Sequence, residues 1–245
     1  LDNLANNGAQ MKPTLIVTRP VQQAQEMAQA AVAQFGDQIR VIVSPLLDIQ
    51  QNALAPLSDD VGGVIFTSTH AVGCTPMRSG MTAYCVGPRT AAMAQEAGFL
   101  TIVGPGDADG LIDLILADPP RGRLAHVRGR HTRGDIVARL GAGGVQCEEI
   151  IAYEQHAISL TSEALTALKG EFPVVLPLFS PRTARLLSRQ RFFVAPLHLV
   201  VMSNAVKQAA GTVDAQTITV AAQPNGVAMY KATFARLEAL VNNAS

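Results

Sequence analysis

A short apolar run, then a turn of hydroxyls, glycine or arginine, then a segment with helical spacing recurs from one end of the chain to the other. This unit limits the fold more than any other feature. TLIV (Thr14–Val17) leads through TRP to apolar residues at Val21, Ala24, Met27, Ala31 and Phe35, a spacing of three to four that predicts a helix. Thr18 is placed to cap that helix, Pro20 suits its first turn, and Gly36 ends it. RVIVSP is the next strand. A β-α-β opening implies a parallel sheet, because parallel neighbours need a long crossover.

The unit then repeats. GVIF leads to a short helix near Ala71, AYCV through GPRT to AAMAQEAG, LTIV through GPGDADG to LIDLILA, and LAHV through RGRHTRG to DIVARLGAGG. QCEEII runs on into AYEQHA. Beyond the helical SEALTALK, the strands VVLPLFS, LHLVVM and TITVAA are each followed by a helix, the last from about Gly226 to Val241. Val, Leu, Ala and Gly dominate and only 4% of residues are aromatic, which suits parallel strands covered by helices. The expected fold class is therefore α/β, with doubly wound parallel sheets of flavodoxin-like or Rossmann-like kind.

Strand counting divides the chain. Two strands precede Pro45 and three follow Ala157; neither set is complete, and together they make one five-stranded sheet. The expectation is a discontinuous domain of residues 11–44 plus 158–245 and an inserted domain of residues 51–151. The crossings are 45–50 (PLLDIQ) and 152–157 (AYEQHA). Both alternate apolar and polar residues, as a half-exposed two-stranded β ladder does. Residues 1–10, LDNLANNGAQ, read as a tail or an expression remnant outside the fold, with Met11 a natural start. Pro177 cannot donate to a sheet, so VVLPLFS is expected at an edge or locally irregular.

Composition narrows the functional classes. Net charge is zero, which gives no general attraction for nucleic acid or an acidic membrane. No apolar run approaches the ~20 residues of a membrane span. The three cysteines, Cys74, Cys85 and Cys147, form no CxxC pair. With no signal-peptide core at the start, they point to a cytoplasmic protein. Only four of the 19 basic residues are lysine. Either a GC-rich genome or a use for the planar guanidinium fork accounts for that.

Ligands of open parallel sheets sit outside the C-terminal strand ends, where helix starts offer backbone N–H groups to anions. The turns there carry Thr18-Arg19-Pro20, Thr67-Ser68-Thr69-His70, Gly87 to Thr90, Arg128 to Arg133, Ser180 to Thr183, Ser203-Asn204 and Gln223 to Asn225. Each alone reads as an ordinary helix cap. Their repetition along one edge of both domains reads as a surface that holds anions. FTSTHAV and its echo LFSPRTA are the clearest pair. RGRHTRG is either a solvated loop or a clamp for a polycarboxylate or phosphate. GPGDADG is a poor dinucleotide fingerprint and reads as a turn with an Asp109 cap. Neither GxSxG nor HExxH occurs, and the histidines lack ligand spacing. Tyr153, in the second crossing, either packs that crossing or faces the inter-domain cleft as a hydrogen-bond donor or weak general acid.

Taken in order, TRP after the first strand, FTSxxAV, VGPRTA with a helix ending in AGF, RG…RG before a helix, GxxV…Y at the second crossing, FSPRTA and A-x-P before the last helix resemble the uroporphyrinogen-III synthase family. The similarity runs from about Pro13 to Leu240. It implies two similar α/β domains joined by a two-stranded ladder. It also implies a lyase of tetrapyrrole synthesis that closes hydroxymethylbilane to uroporphyrinogen III, losing water and inverting the last pyrrole ring through a spiro intermediate. The family uses no cofactor, organic or metal. The resemblance places the family's tyrosine on Tyr153 as the candidate for helping the hydroxyl leave. Its hydroxyl-bearing turns fall on Thr67, Ser68, Thr90 and Ser180, with Arg19, Arg128, Arg133 and Ser203 as further substrate contacts. A cytoplasmic monomer follows, with transient hand-over from the bilane-forming enzyme compatible with it. Two departures stand out: His70 sits where the family often has asparagine, and SNAVK replaces the second GPRTA. The rival class is a two-domain anion-binding protein of periplasmic type.

Overall fold

In the computed structural model, residues 12–76, 78, 80–131, 134–190 and 193–244 are described. The expected tail lies outside these residues. The elements follow in chain order as β1 Thr14–Val17, α1 Val21–Phe35, β2 Arg40–Val43, β3 Leu47–Gln51, β4 Val61–Phe66, α2 Thr69–Cys74, β5 Thr82–Cys85, α3 Pro88–Glu96, β6 Leu100–Val103, α4 Ala108–Ala117 and β7 Arg123–Gly129. They continue as α5 Ile136–Ala142, β8 Cys147–Ala157, α6 Ser162–Lys169, β9 Val174–Leu178, α7 Pro181–Ser188, β10 Leu197–Val201, α8 Asn204–Ala209, β11 Thr217–Val220 and α9 Gly226–Ala244. Two compact units result: one from residues up to Asp48 together with those from Ala157 onward, the other Ile49–His156.

The first unit holds a five-stranded sheet in the order β11-β10-β9-β1-β2, parallel at each of its pairings. Every residue of TLIV, VVLPL and LHLVV is buried. That continuous apolar pattern is the mark of strands covered on both faces. Alternation sends Ile16, Leu176 and Leu199 into one core with α6, α7 and α8, and Leu15, Val175 and Val200 into a second with α1 and α9. α1 ends at Gly36, whose φ of 56° is a backbone conformation glycine adopts without strain.

One local expectation fails here, and one of two alternatives is settled. Thr18 does not cap α1. It is buried, its hydroxyl has no hydrogen-bond partner, and Pro20 takes the capping position without a side-chain bond. The Thr18 carbonyl instead accepts from the amide of Leu46. Nor does Pro177 mark an edge, since β9 lies in the middle of the sheet. The irregularity is real, however. β9 pairs with β10 along its whole length but with β1 only at Val174 and Val175, before the residue that lacks an N–H.

The second unit holds a six-stranded sheet, β3-β8-β7-β4-β5-β6. The pairs β7–β8, β7–β4, β4–β5 and β5–β6 are parallel. One face packs Val64 and Phe66 with α2 and α3; the other packs Ile65 and Leu124 with α4 and α5. The Phe66 and Phe99 rings meet edge to face with centroids 5.4 Å apart. That adds about 0.5–1.5 kcal/mol to simple burial. The crossing strand β8 is one unbroken 11-residue strand. Beside it, β3 runs antiparallel: Asn52 bonds Ala152 and Leu46 bonds Ile158, so residue numbers rise on one strand as they fall on the other.

Candidate functional site

Several polar groups of the second unit gather at the C-terminal ends of β4 and β7 and beside the middle of β8. β4 delivers Thr67 and Ser68 to the edge, and strand alternation points them to opposite faces. Thr67 continues the side of Ile65, and Ser68 that of Phe66. Ser68 caps α2 from an extended backbone, its hydroxyl accepting from the His70 amide at 3.3 Å. The same hydroxyl is hydrogen-bonded to the phenol of Tyr153. Thr67 reaches the other way, with its Oγ1 3.4 Å from Nε2 of His126.

Tyr153 owes its place to a β-bulge. On β7 and β8, Arg128 lies opposite Ile151, but the next residue, Gly129, lies opposite Tyr153 rather than Ala152. The extra residue re-aims the strand. As a result Ala152 and Tyr153 both enter the core beneath α2, although neighbours in a regular strand diverge. Gly129 makes this fit. A Cβ there would lie 2.6 Å from two Tyr153 ring carbons. Tyr153 is consequently buried, only 5% exposed. Burial raises its phenol above the usual range, with the Ser68 hydrogen bond opposing. The imidazole of His70 packs against it, centroids 5.5 Å apart and planes tilted by 60°. Tyr153 thus packs within the core, and its hydroxyl is hydrogen-bonded to Ser68.

His126, inside LAHV, is the buried polar side chain that Thr67 meets. It is 1% exposed, and its Nδ1 is buried without a hydrogen-bond partner. Burial, and secondarily the nearby Arg128 charge, lower its pKa to about 4, with Glu149 opposing. It is therefore a neutral imidazole at neutral pH, able to accept from or donate to the Thr67 hydroxyl according to tautomer. Alternation along β7 was the signal available: Leu124, His126 and Arg128 share a face.

Several expected contacts lie elsewhere. Arg128 belongs to β7, not to a loop, and its fork turns back on the protein. One nitrogen donates to the carbonyls of Gly129 at 2.8 Å and Arg130 at 3.1 Å; the other pairs with Glu149. Its side chain is 12% exposed, and the pairing holds the Glu149 carboxyl below its usual range. Arg130 pairs with Glu154, so RGRHTRG is not a ring of open arginines. Arg133 lies outside the described residues. Thr90 is buried in the first turn of α3 and does not present its hydroxyl at the surface. In GPGDADG the cap is Asp107, accepting from Gly110 at 2.8 Å, while Asp109 pairs with Arg139.

In the first unit, neighbouring strands β1 and β9 bring Arg19 beside Phe179 and Ser180. The guanidinium lies over the Phe179 ring, 4.1 Å from its centroid, which fixes the plane of the fork. Ser180 caps α7, accepting from the Thr183 amide at 3.1 Å, and its hydroxyl meets that of Thr183 at 2.9 Å. Ser203, after β10, starts α8 but makes no side-chain cap bond. Its carbonyl accepts from Val206 and Lys207. Among the described residues no group of three or more His, Cys, Asp and Glu is placed to hold a metal ion, and no helix is long and apolar enough to cross a membrane.

Comparison with known proteins agrees with this architecture. No curated protein matches the sequence. Among solved structures, the chain is similar to uroporphyrinogen-III synthetase from Helicobacter pylori 26695, with a TM-score of 0.64 at 16% identity, covering 92% of this chain and 100% of that one. It is also similar to a mutant uroporphyrinogen III synthase from the extremely thermophilic bacterium Thermus thermophilus, with a TM-score of 0.50 at 12% identity, covering 93% and 99%. Identities this low speak for the fold alone. The sequence itself carries the rest: the family model described as uroporphyrinogen-III synthase HemD matches residues 26–231, from within α1 to within α9 and through both units. With hydroxyl-bearing turns at the strand ends of each unit and a tyrosine set by a bulge beside one of them, the chain belongs to the uroporphyrinogen-III synthase family.

Proposed function

We propose that this chain is a cyclising lyase that converts hydroxymethylbilane to uroporphyrinogen III. Its match to the family model over residues 26–231 is the observation that carries the reading. The linear bilane loses its hydroxyl as water and leaves an azafulvene-like cation. The substituted carbon of the last pyrrole attacks that cation, the resulting spiro intermediate fragments, and reclosure leaves the ring inverted. Unaided, the bilane closes to the type I isomer. The protein's task is then to hold one geometry, and positioning of reacting groups contributes about 7–11 kcal/mol in favourable cases.

The site chemistry supports this division of labour. The hydroxyls and helix-start amides at Thr67-Ser68, and those at Ser180 and Ser203 with Arg19 as a forked partner, are each of a kind that holds a carboxylate arm. His126 steadies Thr67, and Phe179 steadies Arg19. Tyr153 shapes the wall beside Ser68, its phenol oriented toward that hydroxyl. Arg128, already committed to Glu149 and two carbonyls, supports the strand end rather than the substrate. Cytoplasmic residence fits a substrate too short-lived to travel far.

The test supplies hydroxymethylbilane and separates the oxidised uroporphyrin I and III products. Enrichment of type III over the uncatalysed control is expected; type I alone refutes the reading. Tyr153→Phe should slow type III formation with the fold retained, because Ser68 loses its phenolic partner. Unchanged turnover would leave the hydroxyl without a part in the reaction.

A further inference from the structure

Loss of the bilane hydroxyl needs a proton, since water leaves far more readily than hydroxide. Tyr153 is poorly suited to give it. A phenol ordinarily titrates at about 10, and burial raises this one further against the opposing Ser68 hydrogen bond. The neighbouring side chain is less buried. His70 is half-buried where Tyr153 is buried, so it exchanges protons with solvent. Imidazole ordinarily titrates near ~6.5 and offers both its acidic and basic forms around neutral pH.

The backbone around His70 is fixed. Its amide donates to Ser68 Oγ at 3.3 Å and its carbonyl accepts from Cys74 Sγ at 3.1 Å. Its ring lies 5.5 Å from that of Tyr153. Burial raises the pKa of two ionisable groups near it, the Tyr153 phenol and the Cys74 thiol. His70 is thus a solvent-connected acid at the start of α2, in the same turn as Thr67 and Ser68.

Resting on the bilane-closing reaction, we infer that His70 is the acid that protonates the departing hydroxyl. Its imidazolium N–H gives a proton to the hydroxymethyl oxygen, the C–O bond breaks, and water leaves. The lone pair of the adjacent pyrrole nitrogen fills the vacated carbon to form the cation. When the inverted ring recloses, the ring carbon that joins the macrocycle sheds its hydrogen as a proton, and neutral His70 takes it back. The cycle consumes no net proton and needs no oxidant or reductant.

The experiment compares the wild-type chain with His70→Phe, His70→Gln and His70→Ala in type III formation from hydroxymethylbilane. His70→Phe keeps a ring against Tyr153 and removes the proton, which separates acid from packing. A fall in kcat of about 100-fold or more is expected in every variant, with KM little changed. Added imidazole should restore part of the rate of His70→Ala and leave the wild type unaffected. Wild-type kcat in His70→Phe overturns the assignment, as does imidazole without effect on a folded His70→Ala; if His70→Phe does not fold, His70→Gln at wild-type kcat overturns it equally. Failure of the wild-type chain to enrich type III is a separate result and refutes the enzymatic reading instead.

Discussion

Replacing His126 by glutamine tests how the protein holds Thr67, and its effect can be worked out beforehand. The imidazole is 1% exposed, and its pKa falls from an ordinary 6.5 to about 4. Between those values the unfolded chain binds a proton that the folded protein refuses, so acid favours unfolding. Stability carried by the neutral form is fully present above pH 6.5 and is lost as pH falls toward 4. At ~1.4 kcal/mol per pH unit the full loss is roughly 3 kcal/mol, of which about 2 kcal/mol has gone by pH 5. Glutamine keeps an amide able to bond Thr67 and does not titrate. The wild-type advantage over His126→Gln should therefore shrink by about 2 kcal/mol between pH 8 and pH 5. Glu154, whose carboxyl is held below its usual range by Arg130, loses its contribution at lower pH and does so in both proteins. The chain has no tryptophan, so urea unfolding is best followed by far-ultraviolet circular dichroism. Parallel stability–pH curves for the two proteins would refute the reasoning, because they would mean that the folded protein accepts the proton on His126.

Two further substitutions probe the strand end. Gly129→Ala places a methyl 2.6 Å from the Tyr153 ring and should cost about 1–3 kcal/mol in unfolding, with a loss of type III formation as the ring is displaced. A variant as stable and active as wild type would show that the ring position is not enforced there. Arg128→Ala strands Glu149 and two carbonyl contacts; with Glu149 part-exposed, the expected loss is about 1–2 kcal/mol in urea unfolding, with KM little changed. A raised KM with stability intact would instead make this guanidinium a substrate contact.

The α/β pattern and the location of the polar turns were legible because a βα unit is local. TLIV, GVIF and LHLVV are mostly apolar, and the residues that end them are written next to them. Ser68 and Ser180 cap helices α2 and α7 as their sequence position implies. The same local reasoning misplaced Thr18 and Asp109, since a capping residue is chosen by backbone angles that one or two positions alter. Pro177 was legible as a defect but not as a central one, because a proline reveals its missing donor and not which neighbour goes without.

By itself the sequence determined the alternation of strand and helix, the edge at which hydroxyls and arginines accumulate, and the family to which the chain belongs. Only the tertiary structure decided which of those groups stay open. Arg128 and Glu149 are 21 residues apart, and their pairing depends on β7 lying beside β8. The burial of Thr90, the approach of His126 to Thr67, and the shift in register that turns Tyr153 into the core over Gly129 are likewise decided by what lies alongside. A side chain's chemistry travels with its residue. Its solvation, partners and pKa belong to neighbours distant in the chain, and packing alone brings those neighbours together.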